Sequence, residues 1–133
     1  MAAEIRFADV AEGVRATIAA YTQALDDGRT ADVVATFCAD GGCVLPGIGT
    51  FTGHEELTAA YSKFAPRKPQ RHLVLNTHVT DWSADAATAV SDIVFLLKGD
   101  AGWNVQLVGR YTDSLRCESG TWRFHYRAAE FVS

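Results

Sequence analysis

The stretch Ala87-Thr-Ala-Val-Ser-Asp-Ile-Val-Phe-Leu-Leu-Lys98 is apolar on both sides of an extended chain. Side chains alternate between the two faces of a strand, so Ile93, Phe95 and Leu97 share one face and Val90, Val94 and Leu96 share the other. A strand of this kind is expected in a sheet of which neither face meets water. Helices from the same chain cover one face. A second copy of the chain, packed sheet to sheet across a two-fold axis, is the simplest cover for the other, and a homodimer is expected.

The segments around this strand also alternate. Arg71 to Trp82, Asn104 to Arg116 and Thr121 to Phe131 read as further strands, joined at Ser83 to Asp85, Gly99 to Gly102 and Glu118 to Gly120. Joints this short make neighbouring strands antiparallel. Before Arg71 the period is helical. Val10, Val14, Ile18, Tyr21 and Leu25 mark a first helix from Asp9 to Gly28, with Asp9 and Glu12 as capping residues. A second helix starts near Thr30, carries Val33, Val34 and Phe37 inward, and stops at Gly41-Gly42. Cys43 to Thr52 reads as a small edge hairpin. A third helix follows, with Thr52 and Glu55 as its capping box, Leu57, Tyr61 and Phe64 as its apolar face, and Pro66 as its stop. Three helices followed by a meander of strands make an α+β fold, expected as one domain over residues 1–133.

The composition excludes several classes of function. With 133 residues, 48% apolar and 21% charged, the chain has enough apolar material for one core and little of the polar excess of disorder. A net charge of −4 and a pI near 5.5 leave no basic stripe for nucleic acid. The one basic cluster, Arg67, Lys68 and Arg71, lies among Pro66, Pro69 and Gln70 and reads as a solvated loop. Met1 to Phe7 lacks the pattern of a secretory signal, so a cytoplasmic protein with no membrane partner is expected. Cys38, Cys43 and Cys117 form neither a disulfide framework nor a zinc knuckle. His54, His78 and His125 have no metal-ligand spacing, and Gly47, Gly49 and Gly53 lack the strand-to-helix setting of a dinucleotide fingerprint. No metal and no cofactor are expected.

Five residues are candidates for chemistry. His72 opens a strand and shares its alternation with Val74, Asn76 and His78; an imidazole exchanges protons near neutral pH, and the alternative is a histidine hydrogen-bonded in the core or at a dimer rim. Tyr21 and Asp26 lie on the first helix, about 140° apart at ~100° per residue. Tyr21 is either a core aromatic or a proton donor. Asp26 at the helix end is mildly unfavourable with the macrodipole and asks for an explanation. Asp92 interrupts an apolar strand and must be paired or protonated if buried. Arg127 falls opposite in phase to Trp122, Phe124 and Tyr126 and is a candidate ion-pair partner for Asp92 or Asp26.

Six fragments then occur in a familiar order: Tyr21-Thr-Gln-Ala-Leu-Asp-Asp-Gly28, Phe37-Cys-Ala-Asp40, Gly49-Thr-Phe-Thr-Gly-His-Glu-Glu-Leu57, Arg71-His-Leu-Val-Leu-Asn76, Gly109-Arg-Tyr-Thr-Asp113 and Gly120-Thr-Trp-Arg-Phe-His-Tyr-Arg127. Together they resemble the SnoaL-like family of the nuclear-transport-factor-2-like superfamily. The resemblance implies a cystatin-like cone: three helices on a curved antiparallel sheet around a mostly apolar cavity. The superfamily holds dehydratases, isomerases, cyclases and non-catalytic binding domains on one scaffold.

The candidate residues resemble the site of cofactor-free dehydratases. Tyr21, Asp26 and His72 match by motif, and Asp92 and Arg127 by approximate place. What this implies is a lyase that removes water next to the carbonyl of a polycyclic or aromatic hydroxy-ketone. Alternatives are a non-catalytic ligand-binding or assembly domain, an isomerase, or a polyketide cyclase. The sequence departs from three of these patterns. The second histidine of the scytalone-type site has no counterpart in Phe95 to Lys98. Leu45, in place of an aspartate, precedes Pro46, where the ketosteroid isomerases carry their base. Asp113 finds no secure register against the cyclases' late aspartate. Phe37, Leu57, Tyr61 and Trp103 are expected as the apolar walls of the cavity.

Overall fold

The computed structural model describes residues 4–132. The N-terminal targeting expectation rests in part on residues 1–3, which lie outside the described residues. Helices α1 (Phe7–Asp26), α2 (Thr30–Ala35) and α3 (Gly53–Ser62) pack on one face of a six-stranded sheet of β1 (Phe37–Leu45), β2 (Gly49–Thr52), β3 (Gln70–Trp82), β4 (Ala86–Gly99), β5 (Gly102–Glu118) and β6 (Thr121–Phe131). The order across the sheet is β2-β1-β6-β5-β4-β3. All neighbours are antiparallel except β1 and β6, which run parallel. The cone expected from the sequence is thus present, an open curved sheet with its helices on the inner face.

Helix α1 turns Val10, Val14, Ile18, Tyr21 and Leu25 onto the sheet, and all five are buried. Its start differs from the expectation: Arg6 is the N-cap residue, and its backbone N–H donates to Asp9 Oδ2 at 3.2 Å. Gly28 follows the end of α1 with φ of 74°, a left-handed conformation that glycine adopts without steric cost. Helix α2 ends at Ala35, so Phe37 opens a strand instead of closing a helix. The glycine pair expected to stop that helix lies inside β1. A Cβ on Gly41 would stand 2.6 Å from the Phe124 carbonyl oxygen, so the glycine is there to let β1 and β6 approach. At α3 the Thr52 N–H is taken by Glu56 Oε1 at 3.3 Å and not by Glu55.

Five register shifts interrupt the ladders, three of which re-aim side chains of the sheet, as extra residues in a ladder do. The first lies in β3 between Leu75 and His78, where Asn76 has φ of 55°. The second is between Phe95 and Leu96 of β4. The third faces Ser114 and Leu115 across β6, where Tyr126 pairs with Ser114 and Phe124 with Leu115, leaving His125 between them. The inner face carries the main core, in which Tyr21, Phe37, Leu57, Leu115 and Phe124 are almost fully buried. On the outer face Leu73, Leu75 and Val108 are 42%, 46% and 43% exposed, an apolar surface left open among the described residues. Among the described residues no helix is long and apolar enough to cross a membrane.

Candidate active site

The end of α1 meets the start of β3 at one carboxylate. Asp26 is the last residue of α1, where its charge opposes the helix dipole, and its explanation is the set of donors around it. Oδ2 accepts the backbone N–H of His72 at 2.8 Å. Oδ1 accepts Gln70 Nε2 at 3.2 Å and stands 2.6 Å from His72 Nδ1. An ionised carboxylate only accepts, so Nδ1–H donates to Asp26, and in the neutral imidazole this leaves the lone pair on Nε2. The imidazole is held from its other side by Phe95, its cross-strand partner, with ring centroids 4.4 Å apart and planes at 16°. Ring orientation and tautomer are therefore both fixed. Asp26 and His72 have side-chain exposures of 5% and 16%.

His72 opens into a cavity of about 270 Å³. Its apolar wall includes Leu25, Leu45, Phe64, Phe95 and Leu107, and its polar groups include three phenols, Tyr21, Tyr61 and Tyr111. The Tyr21 and Tyr61 hydroxyls are 2.6 Å apart. Burial raises the Tyr21, Tyr61 and Tyr111 hydroxyls above the ordinary phenol range, so all three stay protonated and remain hydrogen-bond donors. On the opposite side of the dyad, Asp26 and His72 also border a polar groove between α1 and β3, of about 590 Å³, with Arg15, Thr22 and Thr77 along it. The dyad thus stands between an apolar chamber and a polar one.

Of the two helix residues, Asp26 contacts His72 directly, whereas Tyr21 shares the cavity wall with it and bonds to Tyr61. Asp92 does not join them. It pairs with Leu75 and Arg110 across the sheet, which places it on the outer face. There it accepts from Asn76 Nδ2 at 2.9 Å and from Arg110 Nη2 at 3.2 Å, and these contacts hold its carboxyl below the usual range. Asn76 and His78 likewise leave the face of His72, since the irregularity at Asn76 reverses the alternation and brings Thr77 and Val79 inward.

Arg127 is buried, 1% exposed, and its partner is Asp113 rather than Asp92 or Asp26. The residue out of register at His125 puts Arg127 in phase with Trp122 and Phe124, beneath the cavity and not in its wall. Its Nε is 3.1 Å from Asp113 Oδ1, yet the geometry is not that of a hydrogen bond, and Nη1, Nη2 and both Asp113 oxygens also have no hydrogen-bond partner. Burial raises the Asp113 carboxyl to about 6 against the pull of Arg127. For the guanidinium, burial acts to lower the pKa, and the Asp113 carboxylate with the surrounding phenols overcomes it, so the group stays charged.

Sequence reasoning missed Gln70 and Tyr111, and weighed Asp113 only against the cyclases' late aspartate, without placing it. Asp113 and Tyr111 share one face of β5, and a carboxylate in phase with buried Tyr111 and Leu115 was the available signal. Of the four expected wall residues only Tyr61 borders the cavity. Phe37 and Leu57 belong to the core beneath it, and Trp103 is 48% exposed. Among the described residues no group of three or more His, Cys, Asp or Glu is placed to hold a metal ion. The three cysteines are free thiols.

Comparison with known proteins agrees with this architecture. No curated protein matches the chain, but many solved structures do. An NTF2-like protein with a cystatin-like fold from Novosphingobium aromaticivorans is 20% identical, with a TM-score of 0.84 over 92% of this chain and 82% of its own. A candidate scytalone dehydratase from the same organism is 16% identical, with a TM-score of 0.82 over 93% and 85%. A Catenulispora acidiphila protein in complex with S-DNPA is 23% identical, with a TM-score of 0.83 over 93% and 94%. At these identities the likeness is one of fold. The family model described as the SnoaL-like domain matches residues 7–128, nearly the whole of the cone, and the chain belongs to the SnoaL-like family.

Proposed function

We propose that the cavity is the active site of a cofactor-free lyase that eliminates water next to the carbonyl of an aromatic or polycyclic hydroxy-ketone. The observation that carries this reading is the His72–Asp26 dyad, held in one tautomer, opening into an apolar chamber that also contains the Tyr21–Tyr61 hydroxyl pair. A fixed base and fixed donors in a mostly apolar cavity are what proton abstraction next to a carbonyl needs. His72 Nε2 takes the proton from the carbon next to the carbonyl. The Tyr21 hydroxyl donates to the carbonyl oxygen as it becomes an enolate oxygen. The carbon–oxygen bond to the hydroxyl then breaks, the protonated His72 supplies its proton, and water leaves. Asp26 stabilises the imidazolium between the two steps. A cavity of about 270 Å³ lies just below the usual ligand-site range of about 300–1,000 Å³, which favours one or two fused rings.

The functional unit is a homodimer in the cytoplasm, and residues 1–133 form a single domain. Support for the dimer is the exposed apolar outer face around Leu73, Leu75 and Val108. The test of the activity is dehydration of aromatic hydroxy-ketones by the wild type and by His72→Ala. Turnover that His72→Ala abolishes while the protein stays folded supports the lyase. A variant as active as the wild type ends the proposal. Ligand binding without turnover in the wild type moves the assignment to a non-catalytic binding domain.

A further inference from the structure

Arg127 is costly where it stands. It is 1% exposed, its Nε, Nη1 and Nη2 donate no hydrogen bond, and neither oxygen of Asp113 accepts one. Buried polar groups are normally satisfied, and an apolar pair would fill this position between β5 and β6 at less cost. What the guanidinium does have is aromatic faces. Its central carbon lies 3.4 Å from the ring centroid of Tyr111, 4.3 Å from that of Tyr21 and 4.6 Å from that of Phe124. Tyr111 and Tyr21 are cavity-wall residues. The cation is therefore separated from the cavity by tyrosine rings, in a region of low dielectric where its field is little screened. Asp113 is cross-strand from Arg127 and two residues along β5 from Tyr111, and it is not in the cavity wall. The positive end of the pair faces the cavity.

We infer that the cavity is built to hold an anionic oxygen, the phenolate or enolate form of an aromatic ligand, at the Tyr21 and Tyr111 hydroxyls with the Arg127 guanidinium behind their rings. Arg127 acts as a positioning and electrostatic residue through the two tyrosines, and Asp113 keeps it in place. The inference rests on the cavity being a ligand site, as proposed above, but does not require turnover. It narrows the ligand class to aromatic compounds whose hydroxyl is acidic or whose ketone enolises. The titratable and charged groups around such an oxygen are Tyr21 and Asp26 from α1, Tyr61 from α3, Cys43 from β1, His72 from β3, Tyr111 and Asp113 from β5 and Arg127 from β6. His72 is the other potential cation among them, so the test must separate the two.

The probe is 4-nitrophenol, whose ionisation is read by its absorption band while it is bound to full-length protein in excess. In the wild type the bound phenol is expected to ionise at a pH at least about one unit below that of the free compound, a tenfold preference for the phenolate. Arg127→Met should abolish the shift, Arg127→Lys should retain part of it, and His72→Ala should leave it in place. A wild type that binds the neutral form better, or binds neither form, overturns the inference, as does a shift that survives in folded Arg127→Met. If the shift disappears in His72→Ala, the imidazolium is the cation and the inference also fails. Should Arg127→Met not fold, the direction of the wild-type shift and its persistence in His72→Ala decide. Because His72→Ala is expected to lose turnover while keeping the phenolate preference, failure of the lyase reading and failure of this one give different results.

Discussion

Replacing Asp26 by Ala removes one carboxylate and three hydrogen bonds with it, from Gln70 Nε2, the His72 backbone N–H and His72 Nδ1. Hydrogen bonds to a charged group contribute about 1.5–3 kcal/mol each, but the three are not independent. The groove between α1 and β3 also admits water to the vacated donors. Removing a negative charge from a helix C-terminus returns about 0.3–1 kcal/mol. The net loss is then about 2–4 kcal/mol, which for a domain of this length lowers Tm by roughly 6–15 °C. Thermal and urea unfolding measure that loss. Nitrogen-15 spectra of the imidazole give the second readout: the wild type should show the proton on Nδ1 of His72, and the variant should lose that preference. Asp26→Asn keeps an acceptor for the backbone N–H and should fall between the two. A Tm drop below about 2 °C in Asp26→Ala, or an unchanged tautomer, would refute the reasoning that this carboxylate organises the site.

Three further outcomes are expected. Tyr21→Phe leaves the Tyr61 hydroxyl with only the Cys43 thiol, 3.8 Å away; unfolding should show a loss of about 1–2 kcal/mol, and turnover should fall about 10²–10³-fold if Tyr21 is the oxyanion donor. Leu75→Glu combined with Val108→Glu places charges on the outer sheet face, and sedimentation should show monomers where the wild type sediments as a dimer. The folded Asp113 carboxyl, near 6, lies above its ordinary value of 3.8, so between these values the folded state binds the proton more tightly than the unfolded chain. Its contribution to stability is present below about pH 4 and is lost as pH rises to about 6. Urea unfolding at pH 4.5 and 7 should show this slope in the wild type relative to Asp113→Asn, and equal slopes would count against a buried, weakly satisfied carboxyl.

The sequence by itself determined the order of the elements, because the glycine-rich hairpin between the second and third helices and the lasting change from helical to alternating period near Arg71 are both local signals that need no tertiary information. The meeting of Asp26 with His72, and the cavity that Tyr21 and His72 share, were foreshadowed by the fragments in which these residues sit, since those fragments resemble the family in order and spacing. Arg127 was misplaced by counting alternation through His125, whereas Asp92 keeps the alternation read for it, with Val90 and Val94, and only the choice of which apolar face meets the helices was missing. One extra residue in a ladder reverses every side chain beyond it, and the composition around Asn76 and His125 does not announce the irregularity. Only the tertiary structure decided that Asp92 faces outward to Arg110, that Arg127 turns inward to Asp113, and that β1 lies beside β6, where Gly41 is needed for close approach and not as a helix stop. Strand register is a property of two segments distant in the chain, and it exists only once they have paired.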